Sequence, residues 1–171
     1  MPRPATRVVS YSQLPSLAGE HLGESDWLPV TQDHIDTFAQ LTGDEQWVHV
    51  DPERAASSSF GTTIGHGFFT LSLATRVIYE LIEVTGAGLI LNYGLNRVRF
   101  PAPVPSGSRI RAALEIPSVE EVAGGLQVTY RLTYEVEGGS KPPCVADVLF
   151  RYYESERPEM SLPTRQEVRG S

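Results

Sequence analysis

The segment from Gly67 to Val84 constrains the fold more than any other. Its apolar residues, from Phe68, Phe69 and Leu71 to Ile78, Leu81 and Ile82, cover most of a helical circumference. A helix that is apolar nearly all round must be buried on most sides, so the rest of the chain has to wrap around it. Gly86 and Gly88 are placed to end it. From Leu89 onward the apolar period changes from helical spacing to two. Leu126, Val128, Tyr130, Leu132 and Tyr134 alternate with Gln127, Thr129, Arg131, Thr133 and Glu135. A similar run, Ile110 to Ile116, precedes them, and Cys144, Ala146, Val148, Phe150 and Tyr152 form a third. Gly124-Gly125 and Gly138-Gly139 separate the runs, which predicts an antiparallel meander. Leu89–Phe100 reads as a further strand with Gly94 a candidate bulge, and the PAPVP segment at 101–105 as a connection without ladder donors. The expected fold class is α+β, an antiparallel sheet wrapped around a long central helix.

The chain has 171 residues and a mass of 18.8 kDa, which suits one domain. Residues 1–10 and 155–171 are polar and proline-interrupted, so the expected division is a flexible N-terminal segment 1–10, a single domain 11–154 and a flexible tail 155–171. A net charge of −7 argues against a nucleic-acid-binding module. The cations are thirteen Arg and only Lys141, so any positive group that matters is a forked guanidinium. One cysteine, Cys144, cannot form an intrachain disulfide, and its apolar surroundings read as a buried, inert thiol. No apolar leader opens the sequence, and the longest apolar stretch is interrupted by Ser72, Thr75, Arg76 and Glu80. The expectation is a cytoplasmic protein without a membrane partner.

Two segments can carry chemistry. Thr31 can cap a helix whose face bears Ile35, Phe38 and Ala39, and Gly43 can end it. The stretch after it, Thr42-Gly-Asp-Glu-Gln-Trp-Val-His-Val-Asp51, leads to a second short helix starting at Pro52. It brings Asp44, His49 and Asp51 into eight residues. Two readings are open here. An imidazole and a carboxylate on one loop can share a water, taking one proton and supplying another. Alternatively, Asp44 bonds backbone in the turn and His49 packs under Trp47. The second segment is Phe60 to Phe68, with Gly65-His66-Gly67 opening the apolar helix. Free amides at a helix start can hold a carbonyl oxygen that gains negative charge, or the glycines can simply permit tight packing. No metal site is expected: sixteen residues separate His49 from His66, and no H-E-x-x-H or Cys-rich set exists. G-x-S-x-G, P-loop and dinucleotide fingerprints are also missing.

Taken together, Thr42-Gly43-Asp44-x-Gln46-x-x-His49-x-Asp51-Pro52 and Gly65-His66-Gly67 resemble the MaoC-like (R)-specific enoyl-CoA hydratases, and more narrowly their mycobacterial-type single-domain members. Asn92 to Val104 and Gly107-Ser108-Arg109 are similar to a strand and turn of that family. The resemblance implies a hot-dog fold. It also implies reversible syn addition of water to a trans-2-enoyl-CoA, giving an (R)-3-hydroxyacyl-CoA in fatty-acyl metabolism. By position it makes Asp44 and His49 the catalytic pair and the Gly67 backbone N–H the donor to the thioester carbonyl. Gln46, His66 and Thr75 take supporting roles. This chain has Gln46-Trp47 where the family usually has Asn-Pro, so the turn loses a proline and its amide is one methylene longer.

The resemblance implies no cofactor beyond coenzyme A as the substrate carrier. Arg97 and Arg99, on one side of their strand, are candidates for the CoA phosphates, with ordinary strand-surface ion pairs as the other reading. An open sheet edge predicts a homodimer. Competing functions are a hot-dog acyl-CoA thioesterase, a 3-hydroxyacyl-ACP dehydratase and an acyl-CoA-binding subunit with a dead site.

Overall fold

The computed structural model describes residues 5–154. A strand β1 (Arg7–Ser10) and a 3-10 turn (Tyr11–Leu17) lead to β2 (His21–Glu24) and β3 (Leu28–Pro29). Three helices follow: α1 (Gln32–Thr42), α2 (Trp47–Val50) and α3 (Pro52–Ala56). A two-residue β4 (Ile64–Gly65) precedes α4 (Gly67–Ser72) and α5 (Ala74–Leu81). Then come β5 (Ile82–Thr85), β6 (Ala87–Arg99), β7 (Val104–Pro105), β8 (Arg109–Val122), β9 (Gly125–Val136) and β10 (Val145–Glu154). The main sheet is antiparallel with strand order β2-β8-β9-β10-β6, and β3 runs beside β8. The meander β8-β9-β10 is the expected one.

Alternation decides which face of the sheet is covered. Ile110, Ala112, Leu114 and Ile116 of β8 are fully buried, as are Val128, Tyr130, Leu132 and Tyr134 of β9 and Ala146, Val148, Phe150 and Tyr152 of β10. They form one cluster with Phe69, Leu71, Ala74, Val77, Ile78 and Leu81 of α4 and α5. The helix therefore lies against the sheet's apolar face, and this is the hot-dog arrangement. Two buried hydroxyls in that core, Tyr130 and Tyr152, satisfy each other at 2.7 Å. Cys144 is buried, and burial pushes its thiol up to about 11. The alternate face carries charge: Arg109 pairs with Glu137, and Arg111 with Glu24 and Glu135.

Several expectations need correction. The helix predicted over 67–84 is two helices ending at Leu81. The Ser72 hydroxyl donates to the Phe69 carbonyl at 2.7 Å, and the Leu73 amide turns to Thr70 at 3.3 Å, tightening the ladder at the junction. Beyond Leu81, the β-branched residues Ile82, Val84 and Thr85 go extended because a partner strand is present. That partner is β1, paired in parallel from Arg7↔Ile82 to Ser10↔Thr85. The segment expected to be loose over 1–10 is thus ordered from Arg7, with Val9 buried in the core. The expected tail 155–171 lies outside the described residues.

The helix is also less enclosed than its composition suggests: Phe68 is 70% exposed and Tyr79 53%. Around Gly94 the register slips at Tyr93 and Asn96, while Gly94 itself pairs with Leu149, so the irregularity flanks the glycine. Val104 and Pro105, expected as connection only, make a two-residue ladder with Gly65 and Ile64. Among the described residues, no helix is long and apolar enough to cross a membrane.

Candidate active site

Local rules place the first segment. The Thr31 hydroxyl accepts the His34 amide at the start of α1. At the other end, Gly43 takes φ +73° and returns its amide to the Ala39 carbonyl at 2.8 Å. Only a residue without a Cβ turns this way cheaply, and the turn delivers Asp44 to the site. The loop expected after it contains a helical turn, α2, opened when the Gln46 carbonyl accepts the His49 amide at 2.8 Å. Asp51 then caps α3 by accepting the Arg54 amide at 3.0 Å.

Asp44, His49 and His66 meet, with one ligand-type atom from each within 4.8 Å of the others. The His49 and His66 rings stack at 3.7 Å between centroids, 25° apart in plane. His49 Nδ1 lies 2.7 Å from the Ile64 carbonyl oxygen. A carbonyl only accepts, so Nδ1 carries the hydrogen and a neutral ring keeps its lone pair on Nε2. The same argument applies to His66, whose Nε2 lies 2.9 Å from the Asp44 main-chain oxygen. His66 is 4% exposed, and its Nδ1 is buried without a hydrogen-bond partner. The Asp44 carboxylate is 4.0 Å from His66 Nε2 and half exposed, so it faces water as well as the pair. The expected packing of His49 under Trp47 is not what holds it; Trp47 instead carries the Arg54 guanidinium over its ring at 4.4 Å.

An Asp-His-His set has the chemistry of a transition-metal site. In each ring one nitrogen donates its hydrogen to a main-chain carbonyl, which leaves one lone pair per ring, and the two rings stack 25° apart in plane.

Gly67 opens α4 without a side-chain cap. A Cβ there would meet the Phe100 ring at 2.9 Å, so the packing reading of this glycine holds on its side-chain face. Beside it lies a pocket of about 290 Å³ lined by His49, Phe60, Gly67, Thr70, Phe100 and Pro143, among others. It is apolar apart from the imidazole, the helix start and Thr70, whose buried hydroxyl has no partner.

The remaining candidates sit elsewhere. Thr75 lines a separate groove of about 450 Å³ with Phe68, Ser72, Tyr93 and Leu95, away from His49 within this chain. The Gln46 side chain is exposed and makes no hydrogen bond among the described residues; its carbonyl does the structural task. Arg97 and Arg99 are exposed on β6 and form no ion pair among the described residues. Asp147, opposite Arg97 in register, is bound by Arg131 at 2.7 Å, and Arg99 donates to the Val98 carbonyl. Gln32 and Thr63 escape a reading of motifs. Gln32 Nε2 donates to the His49 carbonyl at 2.8 Å, and the Thr63 hydroxyl donates to Gln32 Oε1. The separation of 31 positions leaves no local signal.

Residues 13–137 match the family described as the MaoC like domain. The chain is 53% identical over 144 residues to 3-hydroxyacyl-thioester dehydratase Z of Mycobacterium tuberculosis, covering 84% of this chain and 95% of the relative. It is 40% identical over 156 residues to nodulation protein N of Rhizobium leguminosarum, covering 88% and 97%. Among solved structures, the monoamine oxidase regulatory protein of Archaeoglobus fulgidus superposes with a TM-score of 0.70 at 28% identity, covering 86% of this chain and 97% of the other. The fold, the matched domain and the extent of these similarities agree: the chain belongs to the MaoC-like family, as a hydratase/dehydratase of that type with a hot-dog fold.

Proposed function

We propose that the protein is an (R)-specific enoyl-CoA hydratase, adding water reversibly to a trans-2-enoyl-CoA. The observation that carries the reading is the fixed His49 ring, with Nδ1–H tied to the Ile64 carbonyl and Nε2 left as the basic nitrogen beside Asp44. In this mechanism Asp44 and His49 hold one water between them. One of the pair removes a proton as oxygen attacks C3, and a proton is delivered to C2 on the same face. Negative charge moves to the thioester oxygen, where the Gly67 N–H stabilises it. The products are a C–O bond at C3 and a C–H bond at C2, so no redox partner or metal is needed. The relative named for 3-hydroxyacyl thioesters supports the substrate class.

The apolar pocket beside His49 suits an acyl chain. Arg97 and Arg99, free of carboxylates, are suited to the CoA phosphates, which fits a cytoplasmic thioester enzyme. β6 has one neighbour in the sheet and exposes Leu89, Tyr93 and Leu95, alongside Phe68. We assign this edge to a second copy of the chain, making a homodimer.

The test is loss of enoyl absorbance with crotonyl-CoA. Asp44→Asn and His49→Ala each lower kcat by roughly 10²-fold or more, and chiral analysis finds the (R) product. Folded variants with parental rates would sink the assignment. Release of free CoA thiol without hydroxyacyl product would make it a thioesterase, and binding without turnover a dead subunit. A rate higher on acyl carrier protein than on CoA would make it a dehydratase of that carrier.

A further inference from the structure

We propose that Gln32 is a positioning residue, holding His49 in register with the segment that opens α4. The inference rests on the acid–base role proposed for His49. Three hydrogen bonds close a ring of contacts. Gln32 Nε2 donates to the His49 main-chain oxygen at 2.8 Å, the Thr63 hydroxyl donates to Gln32 Oε1, and His49 Nδ1–H donates to the Ile64 oxygen at 2.7 Å. Thr63 and Ile64 are adjacent, so the peptide between them completes the circuit. Neither the His49 main chain nor its ring can shift without breaking a member.

The Gln32 amide has one allowed orientation. Its nitrogen faces two acceptors, the His49 carbonyl and the Asp36 carboxylate at 2.7 Å, while its oxygen faces the Thr63 hydroxyl. Flipped, it would set an oxygen against two oxygens. Thr63 is itself anchored, 1% exposed, with its carbonyl accepting the Ser106 amide at 2.8 Å. The circuit thus joins α1, α2 and β4, and β4 runs directly into His66 and Gly67.

α2 needs such an anchor. It has four residues, too few to be held by its own ladder, and its Gln46 start has no side-chain cap. The catalytic geometry requires His49 and the Gly67 amide at fixed separation, because small displacements of reacting groups are costly in rate. Gln32 supplies the constraint from outside the segment. Leucine at this position keeps the bulk but loses all three bonds. Glutamate turns the donor end into an acceptor facing Asp36.

The experiment compares the full chain with Gln32→Leu, Thr63→Val, Thr63→Ser and, as a control on the exposed face of α1, Thr37→Ala. Readouts are kcat and KM on crotonyl-CoA, thermal melting, and the His49 imidazole nitrogen signals, which report where the ring proton sits. Gln32→Leu and Thr63→Val lower kcat roughly 10- to 100-fold with KM within about threefold. Both weaken the His49 Nδ1–H signal, while Thr63→Ser and Thr37→Ala stay near the parent. If Gln32→Leu does not fold, Thr63→Val decides the matter. Unchanged kcat with unchanged ring signals in the decisive variant, or a rise in KM alone, overturns the inference. A parent that does not hydrate enoyl-CoA overturns the functional reading instead, and the ring signals still test the anchor.

Discussion

Gly67 shows how much one missing methyl group can decide. A Cβ at this position would lie 2.9 Å from Phe100 Cγ, the root of the ring rather than its free end. The ring clears that methyl only by rotating about its own Cα–Cβ bond and giving up its contact with α4, so an added methyl overpacks the site. Gly67→Ala is expected to lose about 1–3 kcal/mol of stability in urea titration. Gly67→Ala with Phe100→Ala should regain part of that loss, and a double variant no more stable than the single would contradict the packing argument. Sequence reading singled out residues that the fold brings together, because their signals are local. Asp44 follows a helix-ending glycine, and His49 lies one short turn beyond it. Thr75 shows the limit: its helix was recognised, but which side of that helix meets the 44–49 turn depends on packing across the whole sheet.

Among the elements, those with their own punctuation were legible. Thr31 and Gly43 bound α1 by capping chemistry alone, and glycine pairs separate β8, β9 and β10. Elements that exist only through a distant partner were not. β1 is four residues long and earns its place by pairing with β5, more than seventy residues on, and that pairing also ends α5 early. A chain begun at Tyr11 therefore loses a strand of the core rather than a loose end. Burying Val9 alone is worth about 1.5–3 kcal/mol. The shortened chain is expected to melt several degrees lower, with faster amide exchange at Ile82–Thr85. Unchanged melting and exchange would show that β1 contributes nothing.

At the level of the whole molecule, two surfaces differ in kind. The outer face of β8 and β9 is laced with Arg–Glu pairs and carries Trp27 beneath Arg109 and Arg111, as suits a face turned to water. Among the described residues β6 forms no ion pair, and it exposes Leu95 at 47% and Tyr93 at 54%, the latter beneath the Arg151 guanidinium. Light scattering at micromolar concentration is expected to give twice 18.8 kDa, and Leu95→Glu to move the mass toward a single chain. A parent that stays monomeric rules the assignment out. The net charge of −7 fits this division: attraction of an anionic ligand must come from a few local arginines, since the global field opposes it.

Phe100 belongs to both surfaces. It directly follows the last residue of β6, and its ring closes over Gly67 at the mouth of the His49 pocket. The edge proposed for a second copy and the wall of the pocket are consecutive residues of one backbone. If association favours one placement of that ring, a ligand that favours the same placement and the association of two chains strengthen one another by the same factor.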